Sequence, residues 1–187
     1  GSLINRATTL SPFLMGITVS VLVGCALTLP ISSVAICVML GIDGLAAGAA
    51  TVGCCAQMVG FAVISYRDNG IGGLLSQGLG TSMLQIGNIA RKPIIWLSPI
   101  IASAILGPVS TCLLEMTNNA LGAGMGTSGL VGPLATYATM TEQGASTWPL
   151  VTKILSLHII APAVICLISD AIMRKAGWIK PGDMKLS

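Results

Sequence analysis

Gly78-Leu79-Gly80-Thr81-Ser82 recurs 46 residues later as Gly124-Met125-Gly126-Thr127-Ser128, and a leucine follows two residues beyond each copy, at Leu84 and Leu130. Each copy lies in a charge-free run, Asn69 to Ala90 and Met116 to Thr141, holding six and five glycines respectively. A glycine inside a helix costs about 1 kcal/mol relative to alanine. Asn, Gln, Thr and Ser are also interleaved throughout both runs. The runs therefore read as helices broken part-way, and the chain around them decides what medium surrounds the breaks.

That medium is hydrocarbon. The 187 residues are 53% hydrophobic with a mean hydropathy of +0.89. Charged residues make up only 8%, against roughly 25% for a soluble domain. Too few charges are present to cover a water-facing surface, which excludes an ordinary soluble protein. The alternation of a membrane β-barrel is absent. The expected class is an all-α integral membrane protein.

Charge-free runs of about 20 residues mark the spans. Four qualify: Leu10 to Leu29, closed by Pro30; Gly44 to Tyr66; Pro93 to Leu114; and Trp148 to Ile172, interrupted by Lys153. Ile31 to Ile42 is too short to cross. Non-helical backbone at membrane depth is tolerated only where protein buries it or where it lines a watery cavity, so the two glycine-rich runs are expected to be re-entrant hairpins. Basic residues favour the cytoplasmic side. If each hairpin returns to the face it left, Arg67, Arg91, Lys92, Arg174, Lys175, Lys180 and Lys185 fall inside, with only Lys153 near the outside. One crossing then separates the hairpins, so they point in from opposite faces as an inverted repeat. The architecture is thus about four transmembrane helices plus two opposed re-entrant hairpins. By extent, Gly1 and Ser2 read as a tag remnant, residues 3–173 as the membrane-embedded transport-type domain, and residues 174–187 as a cytoplasmic basic tail.

The hairpin tips carry the chemistry. A helix start exposes N–H groups without intrahelical partners. Gly78, Gly80, Gly124 and Gly126 permit the turn, and Thr81, Ser82, Thr127 and Ser128 either cap the new helix or face a ligand. Gln77, Gln85, Asn88, Asn118 and Asn119 add amides able to bond sugar hydroxyls, or else to satisfy backbone. Uncharged donors and acceptors beside a positive helix end suit a polyhydroxylated neutral solute or a small anion. His158, the only histidine, lies inside the last span and is open to a proton-accepting or hydroxyl-orienting role or to plain packing. Glu115 and Asp43 read as interfacial, and Lys153 as snorkelling outward.

Other classes of chemistry find no support in the pattern. The six cysteines lie in apolar segments with no CxxC, which argues against a metal site. No cofactor fingerprint and no nucleophile–base constellation occurs, so no catalytic residue is assigned. The basic residues sit in gaps between apolar runs rather than on one face, which argues against nucleic acid.

The run Gly78-Leu79-Gly80-Thr81-Ser82-Met83-Leu84-Gln85-Ile86-Gly87-Asn88, with Lys92-Pro93 and Gly122 to Gly132, resembles the enzyme IIC-like membrane proteins of the bacterial phosphotransferase system, in the branch labelled toxin regulators. Pro30-Ile31-Ser32-Ser33 and Gly44 to Ala50 are similar to the same branch. The resemblance implies that this chain corresponds to the C-terminal, solute-binding half of such a permease. It further implies a multi-pass protein of the bacterial cell membrane, working as a dimer or with an N-terminal half, with enzyme IIA and IIB phosphocarriers as partners. Sugar-type relatives carry a glutamate in a Gly-x-Thr-Glu motif, where this chain has Gly126-Thr127-Ser128-Gly129. Three readings follow: a permease for a small polar solute such as a sugar, a non-transporting sensor or regulator with the permease fold, and a membrane half that only dimerises.

Overall fold

The computed structural model describes residues 11–186, so Gly1 and Ser2 lie outside the described residues. The protein is all-α, with no strand among those residues. Three helices are long and apolar enough to cross a bilayer: α3 (Gly44–Ile64), α6 (Pro93–Leu113) and α9 (Thr147–Lys175). A shorter apolar helix, α1, spans Pro12–Thr28 and opens on proline, whose missing N–H is no loss at a helix start. It stops before Pro30, whose ring disfavours helical backbone at the preceding residue, and Leu29 is extended.

Sequence length alone makes Leu10 to Leu29 a span, yet the chain turns back after it. Ser20 lies against Gly53, and Thr28 bonds Gln57, so α1 runs parallel to α3. Helix α2 (Ser33–Leu40), capped by Ser32 and ended by Gly41 in the left-handed region, then returns the chain to the start of α3.

Helix α3 is the axis of the molecule. It is 21 residues long, about 31 Å at 1.5 Å per residue, and 94% of its apolar window is buried. Its run of Gly and Ala lets neighbours approach backbone to backbone, as packing between helices in lipid requires. A Cβ on Gly53 would collide with the Ser20 carbonyl of α1, and one on Gly107 of α6 would collide with the Gly16 carbonyl. Ser20 Oγ donates to the Ser103 carbonyl of α6 at 2.7 Å across the same crossing. Helix α9 packs along α3 with Cys166 against Gly60. It contains a five-residue π turn, Ser156–Ile160, just ahead of Pro162. Proline at 162 cannot donate to the carbonyl four residues back, and the wider turn absorbs the defect.

Both glycine-rich runs are helix–break–helix. In the first, α4 (Tyr66–Leu75) passes through a π turn, Ser76–Gly80, to an extended Thr81. A 3-10 turn, Ser82–Gln85, then leads into α5 (Ile86–Arg91). In the second, α7 (Ala120–Met125) is separated from α8 (Val131–Glu142) by residues 126–130, with Gly126, Gly129 and Leu130 all at positive φ.

Candidate functional site

The site is built where the two broken segments converge on α3. The base of the second segment lies at the N-terminal end of that helix. Asn118 exchanges two backbone hydrogen bonds with Gly44, at 3.1 and 3.2 Å, and Thr117 Oγ1 donates to Gln143 Oε1 at 2.9 Å, joining the start of the segment to its end. The base of the first segment lies at the opposite end. Asp68 at its start and Asn88 and Lys92 at its end all bind residues 182–185, which follow α9.

From these opposed bases the breaks reach inward and touch. Gly126 packs on Cys54, ten residues from either end of α3, and Gly78 faces Ala62. Thr127 Oγ1 donates to the Gly78 carbonyl at 2.6 Å. This bond joins the first glycine of one five-residue repeat to the threonine of the other. A groove of about 310 Å³ opens beside it, lined by Val59, Ala62 and Val63 of α3, Gly78, Leu79, Thr127 and Leu130 of the breaks, and Ile159 of α9.

The four hydroxyls expected at the tips take separate partners. Thr81 caps Met83 N–H at 3.1 Å. Ser82 is buried and meets Thr28 Oγ1 at 2.8 Å. Thr28 in turn donates to Gln57 Oε1, which also accepts from Trp96 Nε1 at 2.7 Å. Thr127 holds Gly78, and Ser128 is half-buried. Gly80 is exposed and Gly124 is buried, its carbonyl accepting from Ser33 Oγ at 2.7 Å.

The amides also divide. Asn118 Nδ2 donates to Thr51 Oγ1 at 2.8 Å and to the Gly132 carbonyl, tying the second segment's base to α3, and Asn119 caps Gly122 N–H. Gln77, Gln85 and Asn88 form a chain. Gln77 Nε2 donates to Ser65 Oγ, Gln85 Nε2 donates to Gln77 Oε1, and Asn88 Nδ2 donates to Gln85 Oε1, each at 2.9 Å. His158 is 1% exposed, and neither ring nitrogen has a hydrogen-bond partner among the described residues. It sits in the π turn of α9, next to the groove residue Ile159. No cluster of three potential metal ligands occurs among the described residues.

A comparison with protein-family models matches residues 1–186 to the family described as Phosphotransferase system, EIIC. The chain belongs to that family. It is therefore a permease-type membrane component of the phosphotransferase system. No curated protein and no solved structure matches it.

Two features of this EIIC domain escape a reading of hydropathy and repeats. Asp170, inside the last apolar run, pairs with Arg174 at 2.7 Å, and Arg174 Nη2 also donates to the Ile64 carbonyl at 3.2 Å, closing the C-terminal end of α3. The spacing Asp170–Arg174, one helical turn, is the signal that finds the pair. The second feature is the fate of the basic tail. Helix α9 runs on to Lys175, and residues 177–186 fold back over the first segment's base with Ile179 and Met184 buried. Asp68 and Asn69 hold them there.

Proposed function

We propose that this EIIC domain binds a small polar solute, a sugar or small anion, at the meeting point of two re-entrant hairpins, and moves it across the bacterial cell membrane in a system served by enzyme IIA and IIB phosphocarriers. The observation that carries the reading is the pair of broken segments based at opposite ends of α3, with their tips joined through Thr127 and Gly78. An inverted pair of this kind places loose N–H groups and hydroxyls part-way through the bilayer, where neither face alone can reach them. Thr81, Ser82, Thr127 and Ser128 supply hydroxyls, Gly80 exposed backbone, and His158 an unpartnered imidazole among the described residues. Leu79, Gly80, Gly129 and Leu130 are exposed together at the tips. Hydrocarbon does not solvate such backbone, which supports coverage by a second copy or another membrane half.

The sensor reading has its own support. The Gln77–Gln85–Asn88 amides are occupied by the chain's own residues, and no glutamate follows Thr127. A regulator needs occupancy without passage.

The test is ligand-induced thermal stabilisation of the purified domain across hexoses, hexitols, phosphate and sulfate, followed by uptake of any stabilising compound into proteoliposomes. Binding with uptake supports the permease, and binding without uptake supports the sensor. Binding left intact by Thr127→Val in a folded protein removes the tips as the site.

A further inference from the structure

We propose that residues Gly177–Leu186 form a releasable latch over the base of the first broken segment. The contacts are those of a turn-rich segment docked through polar side chains of the broken segment. Asp68 accepts from the N–H groups of Gly182 and Met184 through its two carboxylate oxygens. Asn69 donates to the Met184 carbonyl at 2.9 Å and accepts from Leu186 N–H at 2.7 Å. Gln85 Nε2 reaches the same Met184 carbonyl at 2.9 Å, and Asn88 Nδ2 reaches the Lys185 carbonyl at 3.0 Å. Two side chains, Ile179 and Met184, are buried in the apolar cluster that holds Phe61, Ile89 and Ile95, and one ion pair, Lys92–Asp183 at 2.6 Å, ties the turn down.

Three properties make the attachment releasable. The segment contains only turns, two of them at glycines with positive φ, Gly177 and Gly182. Its ion pair is partly exposed on both sides. Few apolar side chains anchor it, and regions with few buried contacts open at lower free energy than the whole fold. Beneath it, Gln77 and Gln85 are fully buried amides. The carbonyls of Met184 and Lys185 occupy amide donors of Gln85 and Asn88 that release of the segment would uncover.

The experiment uses the full chain in a cysteine-free background, with single cysteines at Met184 or Ile179 as reporters and at exposed Lys185 as reference, and follows reaction with a maleimide. Docking predicts that the two reporters react far more slowly than the reference. Lys92→Glu and Asp183→Lys should each speed the reporters by about two- to fivefold, the scale of losing a partly exposed ion pair, without moving the thermal unfolding midpoint. The double swap Lys92→Glu with Asp183→Lys should react more slowly than Asp183→Lys alone, since it restores the ion pair though not the bond from Lys180 N–H. Reporters as fast as the reference would overturn the docking. Acceleration in step with a lowered midpoint would show that the segment is simply part of the core, and the latch would fall. Because no solute enters the measurement, it stands or falls independently of transport.

Discussion

At the residue scale, the consequential side chains are those whose partners are single. Thr127 makes the one hydrogen bond between the two breaks, and a buried acceptor stripped of its donor costs about 1–3 kcal/mol. Thr127→Val is expected to lower thermal stability by that order, whereas Ser128→Ala, at a half-buried position, should change it little. Arg174 holds both Asp170 and the Ile64 carbonyl. Arg174→Leu should cost more than Thr127→Val, because it strips buried Asp170 of its hydrogen-bonded cation, and thermal unfolding of the two variants side by side checks the order. Slight desolvation pushes the Asp183 carboxyl up, but hydrogen bonds from Lys92 Nζ and Lys180 N–H, with the two lysine charges, outweigh it and hold the group below the ordinary carboxylate range. The contribution of a group depressed in the folded state is complete above its unfolded value and lost as pH falls through the folded one. Asp68, which bonds the neighbouring Gly182 and Met184 N–H groups, is the other acid at this contact. The anisotropy of a pH-insensitive dye at Lys185→Cys should stay constant from neutral pH into the ordinary carboxylate range and drop only below it. A drop near neutrality would contradict the assignment.

At the scale of elements, the crossing of α1, α3 and α6 depends on the absence of side chains. Gly53→Val would drive a branched carbon into the Ser20 carbonyl, and overpacking of this kind costs roughly 1–3 kcal/mol. Lower expression and a lower unfolding midpoint are expected for it, and not for Gly72→Ala, where a Cβ meets nothing within 4 Å. Much of this layer is legible in the sequence. Spans α3 and α6 follow from charge-free length and α9 from a long apolar run interrupted by Lys153 and Asp170, and both breaks fall within the glycine-rich runs because glycine cannot sustain a helix cheaply. The return of α2 is not legible as geometry, since a run too short to cross says nothing of the direction of the helix before it. The site is less legible still. A hydroxyl at a break serves as cap or ligand with equal ease, and only the fold separates Thr81 on Met83, Ser82 on Thr28 and Thr127 on Gly78.

At the scale of the whole molecule, topology is the deciding property. Cysteines introduced at Arg67 and Glu142, next to the two bases, are expected to label from opposite sides of sealed cells; labelling from one side would defeat the inverted arrangement. The exposed tips lead to a second expectation. In mild detergent, light scattering should find the domain associated with another copy, and a monodisperse monomer with cooperative unfolding would argue against coverage of the tips by protein.

The order in which the chain is synthesised gives the latch one more meaning. Asp68, Asn69, Gln85 and Asn88 are synthesised well before residues 177–186, so for that interval their polar groups lack the partners they end with. A polypeptide halted before Gly177 would carry a pocket vacated by Met184 and a row of unmatched amides at the membrane surface.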